Sequence, residues 1–238
     1  MAPGNTDKAC WIGHLTAVQP RIRLLRSFDQ RHHNYLGYAL GIQGEADGHE
    51  AALTVGIGPA AQAKHEFRVG DEVEGMGVPV VDPETEAVDY YKASRLRVSA
   101  RPLETAAAPP PWHGVPPDLP TYRTRGHRRL DPRTYEGPCS ICIWGCRMAV
   151  EMIIDQWKPH ITRWRFETFC YGPKSCRLYK AGATRKVPGR KGMTWEEEDW
   201  VDEAATSHRV RTSGRIASCL DMTIRRQMRL VRSAHTQH

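Results

Sequence analysis

Two groups of cysteine constrain this chain more than any other feature. Cys139-Ser-Ile-Cys142-Ile-Trp-Gly-Cys146 is followed, after a gap, by Cys170-Tyr-Gly-Pro-Lys-Ser-Cys176, so five of the seven cysteines fall in this stretch. A C-x2-C pair turns the chain back until two sulfurs face one ion, and nearby N–H groups can hydrogen-bond the thiolates. The C-x5-C pair closes through Tyr171-Gly172-Pro173, where glycine and proline favour a tight reversal. Cys139, Cys142, Cys170 and Cys176 are therefore the expected ligands of a structural zinc ion. Cys146 opens an alternative, because C-x2-C-x3-C runs also hold iron–sulfur clusters. A [4Fe–4S] cluster would use Cys139, Cys142, Cys146 and one of Cys170 or Cys176. A third reading needs no metal: Cys146, Val150, Ile153, Ile154 and Trp157 recur at the spacing of an amphipathic helix, on which Cys146 is an ordinary buried thiol.

Composition decides how to read those cysteines. The chain has 238 residues, 40% of them hydrophobic and 26% charged, which is the balance of a folded protein. It holds no apolar run of about 18 residues, so no membrane span is expected. The opening Met-Ala-Pro-Gly-Asn-Thr-Asp-Lys has no apolar core of a secretory signal, which predicts a cytoplasmic location. In that reducing setting, clustered cysteines are metal ligands more readily than disulfides. The net charge of +7 is unevenly spread, with a mildly acidic first hundred residues and a strongly basic remainder. Attraction to nucleic acid, single-stranded RNA or DNA, is thus expected in the second half.

The first hundred residues carry strand patterning. Leu15 to Arg26 alternates apolar and polar residues, Tyr35 to Gln43 and Ala52 to Ile57 follow as two more strands, and Ser27 to Asn34 is a polar turn. A short helix-prone stretch, Ala60 to Glu66, precedes Phe67-Arg-Val-Gly-Asp-Glu-Val-Glu-Gly75, a strand entering and leaving a tight Gly-Asp turn. Val78 to Val81 and Tyr90 to Val98 would supply closing strands. Three strands, a short helix and two further strands, with this Gly-Asp turn, resemble the OB-fold small β-barrels over residues 12–100. The resemblance implies an antiparallel barrel that binds single strands by stacking bases on aromatics. Phe28, Tyr35, Tyr38, Tyr90 and Tyr91 are the candidates, with Arg21, Arg23 and Lys92 beside them, although a barrel also needs aromatics for its core.

Seven prolines between residues 101 and 120 exclude helix and ladder and predict an extended linker over 101–121. A metal-binding domain of small α/β type is expected over 122–208, followed at 209–238 by a basic helix or tail. It opens on Tyr122-Arg-Thr-Arg-Gly-His-Arg-Arg129, whose Arg123, Arg125, Arg128 and Arg129 suit phosphates. Thr162 to Phe169 alternates as a strand delivering Cys170. Arg165-Phe-Glu-Thr-Phe-Cys170 and Tyr171-Gly-Pro-Lys-Ser-Cys176 together resemble an uncharacterised prokaryotic four-cysteine family over about residues 137–206, a resemblance that implies no activity. Beyond it, Arg185, Lys186, Arg190 and Lys191 lie in a basic glycine-proline loop, a second candidate for phosphate contact. Thr194-Trp-Glu-Glu197 has the pattern of a capping box opening a helix to about Ala205.

No nucleophile elbow, dinucleotide glycine signature or His-Glu-x-x-His sequence is present. The expectation is a two-domain α+β protein: an OB-like barrel and a four-cysteine module folded around zinc, binding nucleic acid or serving assembly. The alternatives are an iron–sulfur redox protein and a protein-interaction scaffold.

Overall fold

The computed structural model describes residues 8–26, 31–103, 109–153, 157–183, 185–188 and 194–197. Strands dominate it, and the class is a β-rich α+β. In chain order the elements are β1 (Ala9–Arg26), β2 (Arg31–Ala46), β3 (His49–Ile57), α1 (Pro59–His65), β4 (Glu72–Pro79) and β5 (Tyr90–Ala100). After these come α2 (Leu119–Arg125), β6 (Arg128–Arg129), α3 (Pro132–Thr134), β7 (Gly145–Ile153), β8 (Thr162–Cys170), β9 (Arg185–Pro188) and β10 (Thr194–Glu197).

β1 organises the molecule. It pairs antiparallel with β2 along nearly its whole length, antiparallel with β4 through Ala9 to His14, and parallel with β7 through Arg23 to Arg26. β2 pairs with β3, β3 touches β5 in parallel, and β5 returns to β4, so the pairings of the first five strands run in a closed circuit. Alternation explains their common face: Val18, Leu40, Val55 and Val73 are fully buried inside it. The Gly-Asp turn is built as its sequence demands. Gly70 takes a left-handed φ of +93°, and the buried Asp71 carboxylate accepts two hydrogen bonds from Arg101, of 2.9 and 3.0 Å.

The second half continues the same sheet rather than starting another. β7 pairs with β8, and β8 with β6, giving an eight-stranded order β2-β3-β5-β4-β1-β7-β8-β6. Cys146, Met148, Val150, Phe169, Tyr122 and Tyr171 enter the same core as Leu15 and Leu40. Where the sequence predicted separate domains on either side of a linker, the described residues belong to one compact unit. The physical reason is the length of β1: its last four residues outrun β4 and leave an edge that β7 covers.

Two helical expectations give way to strands. The stretch from Gly145 to Ile153 is β7, since Cys146, Met148 and Val150 alternate inward against β1 and β8. Spacings of four fit both periods, and a waiting strand edge decides between them. Thr194–Glu197 is likewise a strand, β10, whose register sets Glu196 opposite Lys186 and Glu197 opposite Arg185. The proline-rich segment is anchored from Pro109 onward: Tyr38 donates its hydroxyl to the Pro117 carbonyl at 2.7 Å, and Ile143 N–H donates to the Trp112 carbonyl at 3.0 Å.

Candidate metal centre

The four predicted ligands come from three local structures. Cys139 ends a π-type turn, Tyr135–Cys139, and the chain then reverses, with Cys142 N–H on the Cys139 carbonyl at 3.2 Å and Gly145 N–H on the Cys142 carbonyl at 2.9 Å. Cys170 closes β8. Cys176 follows a second reversal, its N–H on the Pro173 carbonyl at 3.1 Å. Cys139, Cys142 and Cys170 are buried, Cys176 is half-buried, and all are free thiols. Cys139 and Cys170 pack with Leu130 in a small cluster flanked by Tyr135, Leu178 and Tyr179.

The sulfurs feel one another. Burial pushes the Cys139 thiol up to about 12, and negative charge on Cys142, Cys170 and Cys176 would raise it further. Cys142 is also raised, first by burial and then by Cys170 and Cys176, while backbone N–H groups of Trp144 and Trp112 favour its thiolate. Burial raises Cys170, and against it work the Gly172 N–H, 3.3 Å from the sulfur, and the Arg128 guanidinium. N–H groups two residues after Cys142 and after Cys170 thus both point at sulfur, the arrangement that steadies a metal-bound thiolate. Among the described residues, no group of three or more His, Cys, Asp or Glu side chains is arranged so that it could hold a metal ion.

Around the sulfurs runs a frame of polar clamps. Gln19, a buried residue of β1, donates both amide hydrogens, one to the Cys139 carbonyl and one to the Cys142 carbonyl, each at 2.9 Å. Its oxygen accepts the Tyr135 hydroxyl at 2.7 Å. A Cβ at Gly145 would strike the Cys139 carbonyl oxygen and come within 2.7 Å of the Gln19 nitrogen, so only glycine lets the turn lie this close to β1. No pattern in the sequence announces Gln19; a polar residue between Val18 and Pro20 in a strand gives no such signal.

Cys146 stands apart from this group. It is fully buried in the core, and its thiol donates to the Pro20 carbonyl at 3.2 Å. Burial raises its pKa, with no contribution from the other cysteines. The set of Cys139, Cys142 and Cys146 that the iron–sulfur alternative needs is therefore not gathered on one side of the turn.

The predicted phosphate-binding arginines divide. Arg125 donates to the Tyr171 carbonyl at 2.7 Å and lies 4.2 Å over the Trp144 ring. Arg128 is buried, donates to the Gly172 and Pro173 carbonyls at 3.4 and 2.9 Å, and stacks 3.8 Å over Tyr179. These two brace the loop between Cys170 and Cys176 rather than facing solvent. Arg123 is exposed and sits over Tyr35, and Arg129 is half-buried beside β8. Arg185 and Lys186 lie on the backbone of β9, while Arg190 and Lys191 fall outside the described residues.

Of the aromatic candidates, Tyr38 is buried and bonded to the Pro117 carbonyl, Tyr35 lies beneath Arg123, and Tyr90 packs against the core. Lys92 covers the Tyr91 ring, Arg21 and Arg23 both bind Glu86, and Phe28 falls outside the described residues. No helix among the described residues is long and apolar enough to cross a membrane. No family model, curated protein or solved structure matches this chain.

Proposed function

We propose that the chain is a nucleic-acid-binding or assembly protein in which an OB-like barrel, β1 to β5 with α1, carries a zinc module held by Cys139, Cys142, Cys170 and Cys176. The observation that carries the reading is the burial of Cys139, Cys142 and Cys170 with Cys176 half-buried, Cys139 and Cys170 packed in one cluster and the Gly172 N–H 3.3 Å from the Cys170 sulfur. Uncompensated, such a group disfavours its own thiolates; a divalent cation removes that penalty and takes the thiolates as ligands. The closed circuit of five strands, with a helix between the third and fourth and a parallel contact between the third and fifth, supports the OB-like reading of the barrel. An iron–sulfur cluster on the same thiols would leave Cys146 aside.

Two measurements test the proposal. Elemental analysis of protein purified anaerobically should give one zinc per chain, with no visible absorption from iron–sulfur. Binding to labelled single-stranded RNA and DNA should weaken as salt rises, because phosphate contacts release counterions. Metal-free protein would end the zinc reading. A metal-loaded protein indifferent to every oligonucleotide would leave the protein-interaction scaffold in its place.

A further inference from the structure

The face of β7 and β8 turned away from Cys146, Met148 and Val150 carries Arg147, Ala149 and Glu151 opposite Thr168, Phe166 and Trp164. Cys146, Met148 and Val150 themselves go to the core. Arg147 reaches along this face to lie 4.2 Å over the Phe166 ring. Ala149, a single methyl, is too small to cover the ring it faces. Arg147 is exposed and enters no ion pair among the described residues.

A cavity of about 430 Å3 opens beside Phe166, lined also by Arg129, Tyr135 and Thr168. That volume accommodates a ligand of nucleotide size. Glu167 borders it, but its carboxylate is held by Arg26 at 2.8 Å and Arg165 at 2.6 Å, and Glu136 is the other acid in the lining. The two partners of the Leu130–Ala181 bridge line different clefts: Leu130 the first, and Ala181 a second of about 600 Å3 that is lined also by Arg133, Arg177 and Lys180. All three cations are exposed and none makes a salt bridge among the described residues, although, after the Thr134 N–H, Arg133 and Lys180 help to hold the Asp131 carboxyl below its usual range. The acid there, Asp131, accepts the Thr134 N–H at 2.9 Å and its hydroxyl at 3.1 Å.

We propose that the two clefts form one track for single-stranded nucleic acid, with a base stacked at Phe166 beside Arg147 and the phosphates crossing the Leu130–Ala181 bridge to Arg133, Arg177 and Lys180. This rests on the nucleic-acid reading above and gives it a surface that the sequence did not indicate. The Arg147 guanidinium stacked on the Phe166 ring makes a planar cationic platform that takes a base of any identity, and exposed cations around an open cleft take phosphates. An acidic peptide would satisfy the cations but gain nothing from the stacked ring beneath Arg147.

The test uses the full chain, as purified, and a labelled oligouridine. Phe166→Leu keeps apolar volume but removes the π face, so affinity should fall roughly tenfold with the salt slope unchanged. Arg133→Gln, Arg177→Gln and Lys180→Gln combined should reduce the magnitude of the salt slope by about two, the share of three phosphate contacts on a single strand. Both variants should keep the metal content and melting temperature of the parent. If the parent binds but Phe166→Leu binds as tightly and the triple variant keeps its slope, the track is wrong while the nucleic-acid reading stands. Equal displacement of oligouridine by polyglutamate from the parent and from Phe166→Leu would show a surface read by charge alone, and would overturn it too. A parent chain that binds no oligonucleotide removes the underlying reading itself.

Discussion

The half of the sheet formed by β1 to β5 and the half around the cysteines are joined by one strand but held by different forces. In the first, each strand is paired on both sides and the interior is apolar, with Val18, Leu40, Val55 and Val73 fully buried beside Trp11 and Phe67. In the second, side chains grip backbone carbonyls: Gln19 on Cys139 and Cys142, Tyr122 on Ile143, Thr168 on Leu130, Arg125 and Arg128 on the loop after Cys170. A region with few ladder bonds must satisfy its carbonyls this way or leave them buried and unpaired. Apolar burial tolerates small changes of shape, whereas a frame of directed bonds is sensitive to the loss of one member. The first half is therefore expected to keep its ladders when a clamp is lost, and the second to depend on its clamps and on the proposed metal.

The strongest way to break this comparison is to remove the metal. Chelation should abolish hydrogen-exchange protection in residues 135–145 and 170–180 while the β2–β3 ladder stays protected; structural zinc contributes on the order of 10 kcal/mol in small modules. Uniform loss in both regions would erase the distinction. Next comes Glu167→Gln. It strips the buried Arg26 of its ionic partner, and chemical denaturation should report a cost of roughly 3–5 kcal/mol. Gln19→Leu removes the second donor from two carbonyls that keep only their backbone N–H partners, and takes the acceptor from the Tyr135 hydroxyl. A cost of about 2–4 kcal/mol is expected, with weakened metal retention under chelator competition as its signature. The smallest effect belongs to the first half: Arg97→Ala removes an exposed pair with Glu74 at 3.5 Å and should move stability by less than about 0.5 kcal/mol.

How much of this was readable in advance follows the same division. β1, β2, β3, β5 and α1 stand close to where alternation put them, because strand period is a local property of sequence; but no strand enters the Gly-Asp turn at Phe67, and Val78 belongs to the end of one continuous β4 rather than to a separate strand over 78–81. The packing of Cys139 with Cys170 in one buried cluster agrees with the spacing of the two cysteine groups. β7 was not, because an apolar residue at every second position also places some at every fourth, and the partner that decides lies in β1. Arg125 and Arg128 were legible as charge but not as clamps, since their acceptors are carbonyls at positions 171 to 173, more than forty residues away. Gln19 was invisible for the same reason: its partners lie 116 to 123 residues along the chain.

The parallel ladder between Arg23–Arg26 and Ala149–Met152 bears on synthesis. When β1 leaves the ribosome its final segment has no neighbour on that side, and more than a hundred residues must be translated before one arrives. Meanwhile an open strand edge invites a second nascent chain to add itself. Arg23 and Arg26 put charge on that edge, discouraging a foreign strand during the wait. The Arg26 charge meets its partner only with Glu167 of β8, which arrives together with the strand that fills the edge.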